Sequence, residues 1–218
     1  MLCGIDEAGR GPVLGPMVVA GVLIESDAPL RQLNVRDSKK LTPERREALA
    51  PEIMKLAKYE VVVISADEID RVRTQMSLND FEAKVFADII AKMKPETAYV
   101  DAADVDEIEF KKMILRELKD PVDIISKHMA DELFPVVSAA SILAKVRRDS
   151  EVKKIEVEMG KPIGSGYPSD PDTMTFLEAW LKEKGSFPPH TRTSWDTCKK
   201  LLSAAKTHKL EEFQEAKK

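Results

Sequence analysis

The chain has little cysteine, histidine, aromatic residue or unbroken apolar sequence, and each shortage narrows what it can do. Of 218 residues, 2 are cysteines, Cys3 and Cys198, far apart in the sequence. That is too few for a disulfide framework, and they lack the paired spacing of a zinc site, so a reducing, cytoplasmic compartment is expected. With 3 histidines, no nucleophilic triad stands out. Aromatic residues make up 6%, and beside the high Lys/Glu content this is compatible with a thermophilic source. The longest apolar run, Val13 to Ile24, is interrupted by Gly15, Pro16 and Gly21 and is shorter than the roughly 20 residues a spanning helix needs. No basic segment precedes it, so neither a membrane span nor a signal peptide is expected. Excess positive charge is missing too: 34 basic against 38 acidic residues give a net charge of −4. That excludes indiscriminate phosphate binding over the whole surface and confines any nucleic-acid contact to local clusters.

What is present reads as an α/β protein, since 43% hydrophobic and 33% charged residues suit a globular chain with a sizeable core. The first segment runs into Asp6-Glu7 and a Gly9-Arg10-Gly11 turn, which reads as a strand that carries acids to its end and reverses. Met17–Ile24, Tyr59–Ile64, Thr97–Asp101 and Pro121–Ser126 read as further strands, the first of them pairing with the opening strand. Thr42-Pro43 opens a helix to about Lys58. Ser77 caps another, in which Leu78, Phe81, Val85, Ile89 and Met93 recur at helical spacing. Glu107–Leu118 is a third, and from Pro135 to Gly160 the chain is helical. Two more helices follow a Gly164-Ser-Gly-Tyr-Pro-Ser-Asp170 loop. The expected architecture is a mixed five-stranded sheet flanked by helices (residues 1–135), a C-terminal helical region (136–205) and a polar tail (206–218).

The acids mark the chemistry. Asp6 and Glu7 end one strand, Asp101 ends another, and Asp131 starts the helical part. If the first and fourth strands are neighbours, Asp6, Glu7 and Asp101 meet at one sheet edge, where open α/β sheets place ligands, and Asp131 closes the site from above. They form an oxygen donor set suited to Mg²⁺ or Mn²⁺ and to metal-assisted hydrolysis. Crowded carboxylates raise one another's pKa unless a cation neutralises them. Helix capping accounts for Asp104, Asp106 and Glu132.

Among the basic residues, Arg10, Lys39, Lys40, Arg45, Arg46 and Lys145 could line a groove, whereas Arg147 and Arg148 read as a solvated helix face. Glycine at 9 and 11 suits a turn and also lets backbone approach a ligand. Tyr167, in an exposed glycine loop, offers a ring to a sugar or base.

Gly4-Ile-Asp-Glu-Ala-Gly-Arg-Gly-Pro12, Asp37-Ser-Lys-Lys-Leu41, Tyr99-Val-Asp-Ala-Ala-Asp104, Lys127-His-Met-Ala-Asp131, Val137-Ser-Ala-Ala-Ser-Ile-Leu-Ala-Lys145 and Gly164-Ser-Gly-Tyr-Pro-Ser-Asp170, in this order, resemble ribonuclease HII, the type 2 ribonuclease H, in its archaeal form. The resemblance implies a ribonuclease H-like fold and an endonuclease that cuts the RNA strand of RNA–DNA hybrids and single ribonucleotides embedded in duplex DNA, leaving 5′-phosphate and 3′-hydroxyl ends. It implies Asp6, Glu7, Asp101 and Asp131 as catalytic ligands of two metal ions. Gly9, Arg10 and Gly11 would read the ribonucleotide 2′-OH, and Tyr167 would pack on the adjoining deoxyribose. Lys39, Arg45 and Arg46 look like phosphate contacts, and Asn79 resembles a contact to the opposite DNA strand. The sister ribonuclease HIII would carry an extra N-terminal domain, whereas this sequence opens at the first strand.

A sliding-clamp motif keeps Leu210 and Phe213, but Thr207 and Gln214 replace its Gln and second aromatic, which puts clamp binding in doubt. A monomer is the expected state. Two rivals remain: another nuclease or integrase of the same fold, which would share the acids but lack the Gly-Arg-Gly and Tyr167 pair, and a silent hybrid-binding module, which would have lost an acid.

Overall fold

The computed structural model describes residues 1–35 and 41–215, with side chains as far as Ala205. In chain order its elements are β1 (Leu2–Ala8), β2 (Met17–Ile24), α1 (Ala28–Gln32), α2 (Pro43–Leu56), β3 (Lys58–Ile64), α3 (Ala66–Val72), α4 (Leu78–Met93) and β4 (Thr97–Asp101). Then come α5 (Glu107–Glu117), β5 (Asp123–Lys127), α6 (Ala130–Leu133), α7 (Pro135–Met159), α8 (Pro171–Lys184) and α9 (Asp196–Glu215). These gather into two compact units. One comprises Met1–Arg10, Met17–Ile64 and Gln75–Ser150, and the other Gly11–Pro16, Ser65–Thr74 and the chain from Glu151 onward. The sequence reading divides core from helical region at 135/136; the units part inside α7, after Ser150. The backbone of α9 also runs through Glu215, covering most of the segment read as a polar tail.

The first unit is built on a mixed sheet of order β3-β2-β1-β4-β5. β1 lies antiparallel to β2 and parallel to β4, with Asp6 opposite Ala20 and Ile5 opposite Val100. All of β2 is buried, as expected of a strand covered on both faces. Two glycines show what covers it. A Cβ on Gly4 would lie 2.3 Å from the Val136 backbone at the start of α7, and one on Gly21 would lie 2.5 Å from Ile89 Cγ2 of α4. Opposite residues in the β1–β2 ladder share a face, so Gly4, Asp6 and Ala8 look toward α7 while Ile5 and Glu7 look toward α4. On the α7 side Val18, Ala20 and Val22 pack with Leu49 and Ile53 of α2 and Val137, Ala140 and Leu143 of α7.

Caps fix the helix starts. The Thr42 hydroxyl accepts from Arg45 N, Ser77 from Asp80 N, and the Asp106 carboxylate from Ile108 N and Glu109 N, each worth about 1 kcal/mol of helix stability.

The second unit has its own core of Val13, Leu14, Val152, Ile155, Ile163, Leu177 and Cys198. Its short segment Gly11–Pro16 is held on several sides. Gly166 O accepts from Val13 N and Leu14 N, Leu14 bridges Thr191, and the fully buried Arg192 donates Nε to Gly15 O at 3.0 Å.

Candidate active site

Parallel pairing of β1 with β4 puts the ends of both strands at one sheet edge, so Asp6, Glu7 and Asp101 arrive together. Asp6 is 4% exposed and Asp131 1% exposed. Asp131 is placed by a left-handed residue, Met129 (φ 53°), which turns the chain from β5 into α6. The turn is tied to β4 because Asp101 Oδ1 accepts from Ala130 N at 2.7 Å. Burial, and then the charges of Asp101 and Asp131 among its neighbours, push the Asp6 carboxyl up to about 7. Opposing this, Ser141 hydrogen-bonds Asp6 and the Lys145 ammonium lies near it. Lys145 Nζ donates to Ser141 Oγ at 2.6 Å and sits 3.9 Å from Asp131 Oδ2. Burial likewise raises the Glu7 carboxyl well above the usual range, with Glu82, Asp6 and Asp101 adding to it.

These groups fit a divalent cation in chemistry. All four donors are carboxylate oxygens, and Glu7 Oε2 is buried with no hydrogen-bond partner among the described residues. Among the described residues no group of three His, Cys, Asp or Glu lies close enough together to hold an ion on its own.

The Gly9-Arg10-Gly11 turn leaves β1 with Gly9 at φ 80°, a conformation that favours glycine. Arg10 Nε donates to Oε2 of the fully buried Glu82 at 2.6 Å, and its Nη2 donates to Asn79 Oδ1. Asn79 Nδ2 donates in turn to Asp104 Oδ2 at 2.5 Å. Asp104 therefore does more than turn the chain into α5: its other oxygen accepts from Asp106 N at 2.9 Å, and the Asp106 and Asn79 bonds hold its carboxyl below the usual range. Asp106 is the N-cap of α5, as expected, while Glu132 lies in the first turn of α6, whose N-cap is Met129.

In the second unit the Tyr167 ring lies against Gly11: a Cβ there would be 3.6 Å from Tyr167 Cε1. Tyr167 is 37% exposed, and Trp195 Nε1 donates to Gly11 O at 3.3 Å. The Trp195 indole is itself flanked by the guanidinium groups of Arg73 and Arg192, 4.6 and 5.0 Å from the ring centre.

Of the remaining basic residues, Arg45 is exposed at the start of α2. Arg46 Nη1 donates to Leu41 O at 2.7 Å and its Nη2 lies 3.5 Å from Asp149 Oδ2. Lys39 lies outside the described residues, as do the side chains of the clamp-like segment. Arg148, read as solvated, is 6% exposed; it falls one turn beyond the buried Ala144, so α7 turns it inward. Sequence reasoning missed Glu82, Ser141 as an Asp6 partner, and the Arg192–Trp195 pair beneath Gly11. No helix among the described residues is long and apolar enough to cross a membrane.

Comparison with known proteins places the family and agrees with the fold. The ribonuclease HII family pattern matches residues 3–198. Ribonuclease HII of Methanococcoides burtonii is 50% identical over 210 residues, covering 92% of this chain and 99% of the relative. The crystal structure of ribonuclease H2 from Pyrococcus horikoshii superposes with a TM-score of 0.87 at 41% identity, over 94% of this chain and 98% of that one. The RNase HII in the PCNA:RNase HII complex of Archaeoglobus fulgidus gives 0.86 at 41% identity, over 92% and 96%. At 22% identity, Bst-RNase HIII in complex with Mn²⁺ shares the fold with a TM-score of 0.80, over 94% of this chain and 70% of that one. The chain belongs to the ribonuclease HII family and is a ribonuclease H hydrolase, an endoribonuclease that degrades the RNA of RNA–DNA hybrids.

Proposed function

We propose that this enzyme cuts on the 5′ side of a ribonucleotide, both within RNA–DNA hybrids and at single ribonucleotides embedded in duplex DNA, leaving 5′-phosphate and 3′-hydroxyl ends. Cutting at embedded ribonucleotides would open their excision from DNA. The observation that carries the reading is Asp6, a carboxylate buried beside Asp101 and Asp131 and pushed up to about 7. Such a group asks for a cation. Asp6, Glu7, Asp101 and Asp131 would hold two Mg²⁺ or Mn²⁺ ions, which supply Lewis-acid charge for an attacking water and a leaving oxygen. Mn²⁺ in the related RNase HIII supports an ion of this kind.

The chain's own residues do the rest. Ser141 and Lys145 orient Asp6 and temper its charge before an ion arrives. The Gly9-Arg10-Gly11 turn presents backbone to the ribose 2′-OH, the group that tells RNA from DNA, while the Tyr167 ring beside Gly11 packs on the next deoxyribose. Lys39, Arg45 and Arg46 contact phosphates, and Asn79 lies toward the opposite strand. A monomer suffices for this work.

The test is cleavage of a DNA duplex carrying one ribonucleotide, with Mg²⁺, with Mn²⁺ and with EDTA. A single cut on the 5′ side of the ribonucleotide, lost in EDTA, is expected. Cleavage of hybrids alone, or a cut that persists in EDTA, would refute the reading.

A further inference from the structure

An arginine between two glycines in a turn is a natural phosphate ligand, because its planar fork matches phosphate oxygens. Arg10 uses that fork inward. Its Nε donates to Glu82 Oε2 at 2.6 Å and its Nη2 to Asn79 Oδ1, so two of its three nitrogens are bonded to α4. Glu82 is fully buried, whereas the Arg10 side chain remains 35% exposed. A carboxylate without solvent requires a charged partner to remain ionised, and Arg10 answers Glu82 at short range. The chain of bonds continues from Asn79 Nδ2 to Asp104 at 2.5 Å and from Asp104 to Asp106 N at the cap of α5. One side chain thus ties the end of β1 to the starts of two helices.

We propose that Arg10 is a positioning residue and not a phosphate ligand: its fork onto Glu82 and Asn79 fixes the backbone of the turn that leaves β1, and through it the discrimination of ribose from deoxyribose. This rests on the reading of that turn as the 2′-OH reader. The pairing also sets a cation on Oε2 of Glu82, an acid near enough to Glu7 to act on its charge.

The test is binding in EDTA, across a salt series, to a DNA duplex with one ribonucleotide and to the same duplex without it, for the wild type, Arg10→Gln, Glu82→Gln and the double variant. Each single variant is expected to lower the preference for the ribonucleotide duplex by about tenfold, the equivalent of about 1.4 kcal/mol. The double variant should lose no more than the worse single one, because both break the same pin. The salt slope of Arg10→Gln should match the wild type, whereas losing a phosphate contact would flatten it by about 0.9. A flattened slope, or a Glu82→Gln protein with unchanged preference, overturns the proposal. Should Glu82→Gln fail to fold, Arg10→Gln decides: its preference must fall while its salt slope stays that of the wild type, and a retained preference overturns the pin. A wild type that binds both duplexes equally would sink the reading of the turn instead, and the Arg10→Gln slope would then judge the pin alone.

Discussion

Asp6 Oδ1 accepts a hydrogen bond from the backbone N of its own neighbour, Glu7, at 2.7 Å, although the two side chains leave opposite faces of the sheet. The bond holds the Asp6 carboxylate back over the strand end, on the side of Ser141, Lys145 and Asp131. Asp6→Asn keeps the size and the accepting oxygen and deletes the charge. Cleavage should fall to background while hybrid affinity stays largely intact, because the side chain supplies charge for an ion and not for the duplex. Turnover at the wild-type rate by the purified variant would remove Asp6 from the catalytic set.

The raised carboxyls of Glu7 and Asp6 give stability one direction of pH dependence, and Asp6 defines its window. The Asp6 carboxyl titrates near 3.8 when unfolded and is pushed up to about 7 in the fold, so between those values the native state holds a proton that the unfolded chain has released. Where the native state binds more protons, stability falls as pH rises. The ion-free protein should therefore melt at a lower temperature at about pH 8 than at about pH 5.5. Asp104, Asp170 and Asp196, whose carboxyls are held low, act in the opposite sense but below this window. Asp6→Asn should weaken the dependence while Glu7 keeps part of it, and millimolar Mg²⁺ should raise the melting temperature most at the alkaline end. A wild type that gains stability over this range would contradict the assignment.

Strands β2 and β4 could be bounded from sequence to the residue, because β-branched runs closed by turn residues leave little choice. The meeting of Asp6, Glu7 and Asp101 needed one assumption, that the first and fourth strands are neighbours, and the ladder bears it out. Glu82 escaped notice although its position was suggestive. It lies four residues after Leu78 and three before Val85, on the apolar stripe of α4, where a charge is buried only with a partner. Arg192 had no such local signal, since its partner, Gly15 O, is far away in sequence. The two units were hidden for the same reason: each collects segments that are remote in the chain. The continuation of α9 follows from its Lys and Glu residues, which favour helix.

Arg45 and Arg46, adjacent on α2, should part company under salt. Arg45 is exposed, so Arg45→Ala should flatten the slope of log affinity against log salt by about 0.9 and leave the melting temperature unchanged. Arg46 also holds Leu41 O and faces Asp149. Arg46→Ala should therefore flatten the slope and also destabilise the protein, by about 1 kcal/mol for the lost hydrogen bond. Slopes measured with a hybrid in EDTA check both, and unchanged slopes would return the two arginines to the solvated surface.

Gly11 and Tyr167 give the sharpest test of junction reading, because Gly11 can be changed without breaking the turn. Gly9 has φ 80° and resists a side chain. Gly11 is not in the left-handed region, and a Cβ there would meet Tyr167 Cε1 at 3.6 Å, an ordinary contact. Gly11→Ala should therefore fold normally yet hold the ribose off the backbone by the width of a methyl group. Tyr167→Ala removes a ring that would pack on the adjoining deoxyribose, a contact that an all-RNA strand does not present. Both variants should lose about tenfold in cleavage of a single embedded ribonucleotide, within the range of one stacking contact, with Mg²⁺ affinity by calorimetry unchanged. Tyr167→Ala should lose less on an all-RNA strand paired with DNA. Equal losses on the two substrates, or a parallel loss of Mg²⁺ affinity, would mean that the ring supports the fold or the acids and does not read the sugar.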